Sequence, residues 1–234
     1  MIINKYLYTA VLWTFIILLP LWVSNLTLEY FIITYAVYWV FGDFVMSIFL
    51  HRWAAHNLWK PPVWLQNTLA TIGVMICQGN PISWAAWHRT HHKHVDTEKD
   101  PHSPKNYNWF YIVFLNHFHS AEYRLGVDKA RSKYFVFLNK YEGFIAIGTA
   151  IILFMLLPFE WFLVLWAAPV AFLGIIPGLA VNYFCHYKGE VRDNIWLWPL
   201  VFSDCLHKEH HDNVKLKRSC LDPFASLIVK LGYN

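Results

Sequence analysis

The chain has 234 residues, of which 57% are hydrophobic, 19% are aromatic and only 15% are charged, with a formal net charge of +4. A soluble domain of this size carries more charge, and the apolar residues lie in long runs, so the composition excludes an ordinary soluble protein and predicts a polytopic membrane protein. The four cysteines are widely scattered, which excludes a CxxC pair and a disulfide framework.

Four apolar runs are long enough to cross a bilayer as helices. We predict transmembrane helices over residues 6–23, 30–50, 141–158 and 161–183. No small-residue cleavage site follows the first run, so we interpret it as an anchor and not as a signal peptide. The length predicts a single domain over residues 1–234.

Three further runs are predicted to be amphipathic helices in the membrane interface, over about residues 62–79, 107–118 and 195–202. The first of these is long enough to cross, but it carries Gln66 and Gln78. A crossing there would also put the histidines that precede it and those that follow it on opposite sides of the membrane.

Those histidines form four groups. His51 and His56 follow the second apolar run in the sequence HRWAAH, and His186 closes the sequence NYFCH after the fourth run. The sequences HRTHH and HKEHH each place histidines at positions i, i+3 and i+4, which share one face of a helix. The nine candidate imidazole ligands are His51, His56, His88, His91, His92, His186, His207, His210 and His211.

The positive charges agree with a map of four crossings. All 19 Lys and Arg residues lie at Lys5, between Arg52 and Lys140, or from Lys188 onward, and neither short connecting turn contains one. By the positive-inside rule both termini and all nine histidines are then cytoplasmic. We therefore predict an all-α membrane protein with four transmembrane helices and a cytoplasmic helical cap.

Nine neutral imidazoles are too many for one metal ion, and two ions with four or five ligands each fit better. Imidazole binds iron, zinc and copper alike, so the residues alone leave the metal open. The sequence thus predicts a histidine-rich site for two metals in the cap.

The three histidine groups HRWAAH, HRTHH and HKEHH resemble the histidine boxes of the integral-membrane fatty acid desaturases. The longer sequence HRTHHKHVDTEKDPHS is similar to the second box of the Δ9 (stearoyl-CoA type) acyl desaturases, and NYFCH resembles their NxxxH element. The resemblance runs from about Gly42 to His211. The approach to the third box departs from it, because the usual run Gly-Glu-Gly-Trp-His-Asn is here Ser203-Asp-Cys-Leu-His-Lys.

The resemblance implies an oxidoreductase that uses two iron ions, O₂ and two electrons to introduce a cis double bond, Δ9-like, into a fatty acyl chain. It assigns one iron to His51, His56, His88, His92 and His211. It assigns the other iron to His91, His186, His207 and His210, with Asn182 holding a water.

The implied partners are a fatty acyl substrate on CoA, a carrier protein or a lipid, an external electron donor such as ferredoxin or cytochrome b5, and the bilayer, with no nucleic acid. The protein is predicted to be an integral, multi-pass membrane protein with both termini in the cytoplasm. The sequence does not separate the bacterial inner membrane from the endoplasmic reticulum.

Several residues beside the histidines are candidates for supporting roles. Asp96 and Asp100 could accept hydrogen bonds from ligand imidazoles or could be solvated loop acids. Arg52 and Arg89 each follow a ligand and could pair with such acids or contact the substrate head group. His102, which closes the DPH sequence, has the best claim to a supporting role among the four other histidines.

Asp43 lies inside the second predicted crossing, where an ionisable group is costly and usually faces a cavity or a partner. At helical spacing it shares a stripe with Val40, Phe44 and Ser47 that leads to His51. We predict that these four residues line the substrate channel, the alternative being that Asp43 satisfies a helix contact.

Two other functions remain open from the sequence. One is a hydroxylase or ketolase acting on a lipid, an alkane or a carotenoid, because hydroxylation and desaturation share the first C–H abstraction. The other is a metal-binding membrane protein without catalysis. The sequence DTEKDPH favours a desaturase over the hydroxylase or ketolase. Nine clustered histidines with one water-holding Asn argue against a protein that only binds metal, since an open coordination position marks catalysis.

Overall fold

The structure, a computed structural model, describes residues 2–115, 121–214 and 221–230, with the side chains of residues 2–5 and 8 outside that description. Every regular element in these ranges is helical. The α-helices in chain order are α1 (Ile2–Ser24), α2 (Leu28–Trp39), α3 (Val63–Met75), α4 (Pro81–His94), α5 (Trp109–Phe114), α6 (Lys133–Leu156), α7 (Phe159–Phe162), α8 (Ala168–Pro177), α9 (Trp198–Val201), α10 (His207–Asp212) and α11 (Pro223–Lys230).

Within the described part of the chain, three continuous helices are long and apolar enough to cross a membrane: Leu28–Ala55, Lys133–Leu156 and Phe159–Gly189. The apolar part of α1 that meets the same criteria of composition, Thr9–Ser24, is shorter. The all-α fold with long apolar helices agrees with the sequence prediction. The helix that contains most of the predicted crossing 141–158 begins at Lys133, because Ser132 caps it there by accepting a hydrogen bond from the backbone N–H of Phe135.

Two of the long helices change to π-helical geometry before they reach a histidine. α2 continues without a break as the π-helical segment Val40–Ala55, which contains His51. α7 continues through the π-helical segment Leu163–Ala167 into α8, and α8 continues into a second one, Gly178–Phe184. Hydrogen bonds from i to i+5 widen each turn, and such segments are frequent at functional sites.

Each of the three runs predicted as interfacial helices contains helix in its described part, with shorter bounds. α3 ends at Met75, where Cys77 and Gly79 turn the chain with positive φ angles of 57° and 89°. α5 ends at Phe114, and residues 116–118 of the predicted helix lie outside the described residues. The third run consists of a single 3₁₀ turn, Ile195–Leu197, followed by α9.

One apolar core joins the long helices. α1 packs against α6 and α8, and α4 packs against the π-helical segment Val40–Ala55. Phe15, Phe49 and Leu138 are among its fully buried side chains. Packing in this core holds α4 and the π-helical segments Val40–Ala55 and Gly178–Phe184 in place. The histidines at their ends are positioned by this packing.

The start of α4 is fixed by Asn80. Its side-chain oxygen accepts hydrogen bonds from the backbone N–H groups of Ile82 and Ser83, at 3.0 and 3.2 Å, which caps the helix ahead of Pro81. Its amide nitrogen donates to Glu142 Oε2 on α6 at 2.5 Å. α4 is therefore held against α6 at the end opposite its histidines.

Candidate metal centre

The structure brings all nine candidate histidines together. They come from the end of the π-helical segment Val40–Ala55 and the residue after it, from α4, from the turn after Gly178–Phe184, and from α10. Their ring nitrogens form two adjacent clusters.

The first cluster contains His51, His56, His88 and His210, whose nearest ring nitrogens all lie within 4.8 Å of one another. Nε2 of His51 is 3.0 Å from Nε2 of His210, and Nε2 of His56 is 2.8 Å from Nε2 of His88. His92 joins this cluster at its edge, with its Nε2 3.0 Å from that of His210.

The second cluster contains His91, His186, His207 and His211, again within 4.8 Å. Nε2 of His186 is 2.7 Å from Nε2 of His207. Nε2 of His211 is 3.2 Å from the Nε2 atoms of both His91 and His207. The two clusters touch where the rings of His92 and His211 stack, with centroids 4.2 Å apart.

These nitrogen separations fit a metal ion in each cluster. Bonds of about 2.1 Å to two imidazole nitrogens at a right angle hold those nitrogens about 3 Å apart. Imidazole suits iron, zinc and copper, so the donor set accepts iron without selecting it.

The clusters exchange His210 and His211 relative to the assignment that the resemblance implied. That assignment placed His211 in the first set and His210 in the second, and the structure places them the other way round. The reason is the register of α10: His207 and His211 are separated by four residues and face the second cluster together, while His210 points to the first. On α4, His88 and His92 are likewise four residues apart and face the first cluster, whereas His91 faces the second.

Three carboxylates orient the imidazoles. Nδ1–H of His51 donates to Asp204 at 3.2 Å, Nδ1–H of His91 donates to Asp100 at 2.9 Å, and Nδ1–H of His186 donates to Asp96 at 3.1 Å. A proton held on Nδ1 leaves the lone pair of Nε2 free for a metal. The structure thus places both predicted loop acids, Asp96 and Asp100, against histidines of the second cluster.

Arg52 and Arg89, the two arginines predicted to have supporting roles, form ion pairs with carboxylates and do not line the cavity. Arg52 contacts Asp222 and Ser203, and lies 3.9 Å from Asp204. Arg89 donates to both oxygens of Asp128, at 2.6 and 3.1 Å.

Arg89 also donates to backbone carbonyls next to the first cluster. Its guanidinium reaches the carbonyl oxygens of Ala55 at 2.5 Å and Ala54 at 3.0 Å, the last two residues before His56. A third bond goes to the carbonyl of Leu125 at 2.5 Å. Arg89 thereby ties α4 to the end of the π-helical segment.

Sequence reasoning missed Asp204, Asp128 and Asp222. A signal existed for Asp204, which stands three residues before His207 as the glutamate does in the family run, although the approach was treated as a departure. Asp128 and Asp222 are 39 and 170 residues from the arginines that they meet, and no local pattern marks them.

Burial keeps seven of the imidazoles neutral. It is the largest cause that lowers the pKa of His92 and His211, each to about 3, and neighbouring imidazoles lower them further. The same causes hold the pKa values of five more well below their usual range: His56, His88, His91, His207 and His210. Neutral imidazole is the form that binds metals.

Two of the supporting carboxylates, Asp204 and Asp96, are charged in spite of their burial. Burial by itself would raise the pKa of Asp204, but His51 and Arg52 bring it below its usual value. Burial also opposes the charge of Asp96, whose pKa is lowered by hydrogen bonds from His186 and Ser103. Charged acceptors strengthen the hold on the imidazoles.

A cavity of about 270 Å³ lies beside the two clusters. Ligand candidates from both clusters line it, among them His51, His91 and His207, and so does Asn182, four residues before His186. Trp84 and Trp87 of α4 form another part of the wall. The cavity is therefore placed to hold a substrate against the histidines.

The predicted channel stripe does not line this cavity. Asp43 is fully buried, Ser47 donates to Asp204 at 3.0 Å, Phe44 packs against Phe224 and Val40 is 52% exposed. The prediction assumed 3.6 residues per turn, whereas Val40–Ala55 is π-helical. Met46, five residues before His51, is the residue of this segment that reaches the cavity with it.

Of the four other histidines, the two that the structure describes, His94 and His102, lie outside the two clusters. His102 is buried against His91, with ring centroids 4.1 Å apart, and lines the cavity. Its ring could also complete a smaller group with His91 and Asp100. His94 pairs with Glu122 at 2.7 Å, and His117 and His119 lie outside the described residues.

Comparison with known proteins identifies this arrangement. A model of the fatty acid desaturase family matches residues 31–229. The chain belongs to the fatty acid desaturase family. This fatty acid desaturase is an oxidoreductase that acts on fatty acyl chains, so the function predicted from the histidine boxes is confirmed, and the hydroxylase alternative is not favoured.

Among curated relatives, the fatty acid desaturase is 32% identical to the sn-1 stearoyl-lipid 9-desaturase of Anabaena variabilis, over 75% of this chain and 68% of the relative. It is 32% identical to the Delta-9 acyl-lipid desaturase 2 of Arabidopsis thaliana, over 77% of this chain and 65% of the relative. The sn-2 palmitoyl-lipid 9-desaturase of Nostoc sp. is 26% identical, over 79% and 70%. The chain thus spans about two thirds of the length of these relatives.

Proposed function

We propose that this protein is a membrane-bound acyl-lipid desaturase that places a cis double bond at the Δ9 position with a diiron centre, O₂ and two electrons. The observation that carries the proposal is the pair of histidine clusters, with their Nε2 atoms turned toward each other beside one cavity. The names of the relatives support a lipid-linked acyl chain as the substrate.

The reaction balances with an external reductant. Removing one hydrogen from each of two adjacent carbons yields two electrons and two protons, the donor supplies two more electrons, and two more protons come from the solvent. These four electrons and four protons reduce O₂ to two waters. Two bound irons would supply the redox chemistry that a C–H bond of this strength requires.

The chain's own residues hold and orient that centre. His51, His56, His88, His92 and His210 would hold one iron. The other would be held by His91, His186, His207 and His211, with a water on Asn182. Asp204, Asp100 and Asp96 keep Nδ1 of three of these ligands protonated and their rings fixed.

The cavity wall positions the acyl chain. Trp84 and Trp87 on α4, together with Val181, give an apolar surface next to the histidines. An alkyl chain held there in one conformation presents the same two carbons at each turnover, which is how positioning selects a bond. The wall also keeps bulk water from the reacting carbons.

The arrangement in the membrane is part of the proposal. The three long apolar helices and α1 would give four crossings, both termini and the histidine-bearing cap being cytoplasmic. Ferredoxin or cytochrome b5 would then reach the cap from the cytoplasm as the electron donor.

The test is the lipid profile of a bacterial host that expresses the chain together with a ferredoxin system, measured by gas chromatography with mass spectrometry. We expect new Δ9 monounsaturated acyl chains from the wild type and none from His91→Ala. His94→Ala is the matched control, because His94 lies on the same helix and pairs with Glu122 outside both clusters.

Two results would overturn the proposal. Hydroxylated products in place of alkenes would mean a different reaction on the same site. Purified wild type that binds no iron, or that binds as much iron after His91→Ala, would exclude the diiron centre.

A further inference from the structure

The wall of the cavity is apolar at one end. There it is formed by Leu12 of α1 and by Leu173, Gly174 and Pro177 of α8. All four lie in helices that we assign to the membrane. At another part of the wall the residues are polar: Gln78, Ser83 and Glu142.

The apolar end lies at the contact between α1 and α8. Gly174 has no side chain, and a Cβ placed there would lie only 2.7 Å from Cδ1 and 3.1 Å from Cδ2 of Leu12. The tip of the Leu12 side chain therefore occupies the space that a side chain at position 174 would need. Both residues are partly exposed. Side-chain rotamers of this kind change within nanoseconds, so Leu12 is a movable part of the wall.

The contact lies inside the proposed membrane. In the predicted crossing 6–23, Leu12 is about 9 Å from one end and about 16 Å from the other. The hydrocarbon layer is about 30 Å thick, so an opening at Leu12 would meet the acyl chains of the lipids and not their head groups.

The distance from the histidines also fits an acyl chain. Gly174 precedes Asn182 by eight residues, which is about 10 to 12 Å along the helix. This is close to half of an extended stearoyl chain. With its middle carbons at the clusters, such a chain would bring its methyl end to Leu12 and Gly174.

Charge supports entry of a chain from the lipid at this end. No Lys or Arg occurs among the described residues that line the cavity, so this wall offers no cation to a phosphate. A head group would remain outside, at the membrane surface.

We propose that the cavity opens sideways to the bilayer between α1 and α8 at the Leu12–Gly174 contact, and that the methyl-terminal part of a membrane lipid's acyl chain occupies this opening. The inference rests on the proposed function, since it gives the route by which a lipid-linked substrate reaches the clusters. The cavity then has no floor of protein at this end, and chains longer than stearoyl extend into lipid.

The test uses the full chain in lipid nanodiscs that contain a phospholipid with a diazirine group in the middle of one stearoyl chain. After irradiation, mass spectrometry measures labelling of Trp84 and Trp87, which line the cavity on α4. We expect labelling in the wild type and at least about a tenfold loss in Gly174→Leu, because a leucine there overpacks the contact with Leu12.

Two further variants keep the test independent of folding. Gly148→Leu makes the same change on α6, where a Cβ meets nothing within 4 Å, and labelling should be unchanged. Leu12→Ala removes the tip that fills the contact, and it should retain or increase labelling. Equal labelling of the α4 tryptophans in Gly174→Leu and wild type, or loss of labelling in Leu12→Ala, would overturn the inference.

Labelling does not require iron or turnover, which separates this inference from the proposed function. Labelling that depends on residue 174 in a protein that makes no alkene would contradict the proposed function alone. Alkene formation on palmitoyl, stearoyl and arachidoyl lipids that Gly174→Leu leaves unchanged would contradict the inference alone, since a closed end should reduce turnover of the longest chains first.

Discussion

At the scale of single residues, a carboxylate that accepts a hydrogen bond from an imidazole fixes the orientation of that metal ligand. Asp204 serves the first cluster through His51, while Asp100 and Asp96 serve the second through His91 and His186. Each cluster therefore has its own supporting acids.

Asp204→Ala should weaken metal binding in the first cluster while leaving the second in place. Loss of a partner of this kind typically lowers metal affinity by about 10- to 100-fold. We expect iron per chain, measured by mass spectrometry after dialysis against a chelator, to fall from two toward one.

Asp212→Ala is the control for this experiment. Asp212 belongs to the same helix as three of the ligands but pairs with Lys208 at the surface. Loss of both irons in Asp204→Ala, or the same loss in Asp212→Ala, would contradict separate support of the two clusters.

The residue scale also shows what local sequence can predict. Spacing identified six of the nine histidines, those of HRTHH and HKEHH, because positions i, i+3 and i+4 share a helical face whatever the fold. His51, His56 and His186 were singled out because they follow the ends of apolar runs. The division of His210 from His211 could not be predicted, since it depends on the direction from which α10 approaches α4. Asp128 and Asp222 become partners only through tertiary packing.

At the scale of elements, Arg89 adds several hydrogen bonds to the packing between α4 and the π-helical segment Val40–Ala55. Arg89 donates to Asp128 and to the carbonyls of Ala54, Ala55 and Leu125. The planar guanidinium can satisfy all of these acceptors at once, which an ammonium group cannot do.

Arg89→Lys should therefore lower the free energy of unfolding by about 1–2 kcal/mol, mainly through the lost hydrogen bonds to backbone carbonyls. The ion pair with Asp128 contributes little to this loss, because the Asp128 side chain is partly exposed. The measurement is thermal unfolding in detergent. Arg192→Lys, at an exposed pair with Glu190, is the control and should change stability very little. Equal shifts in the two variants would mean that Arg89 is only another surface charge.

Hydropathy predicted which segments form helices, but it did not predict whether a helix is α or π or where it begins. The long apolar runs identified the helices because length and composition suffice for that. The stripe through Asp43 failed because it used the period of an α-helix, and nothing local in Val40–Ala55 announces i to i+5 bonding. The early start of α6 was missed because its first turns are not apolar throughout.

At the scale of the whole molecule, the arrangement in the membrane is open to a direct test. The described native cysteines Cys77, Cys185 and Cys205 are buried, so an added exposed cysteine reports on its own side of the membrane once Cys220 is replaced by serine. Asn25, between α1 and α2, and Glu98, after α4, are both exposed.

We expect a membrane-impermeant maleimide to label Asn25→Cys in intact cells and to label Glu98→Cys only after permeabilisation, because the two positions lie on opposite sides of the proposed membrane. Labelling is read by gel shift. Labelling of both positions under the same condition would mean that the helix between them does not cross as proposed.

Two pairs of neighbouring residues divide between the clusters: His91 with His92 on α4, and His210 with His211 on α10. A peptide link fixes their Cα atoms about 3.8 Å apart. Covalent geometry on both α4 and α10 therefore limits the distance between the two metal positions. Movements of the long helices can carry the centre as a unit, while the gap between its halves stays nearly constant.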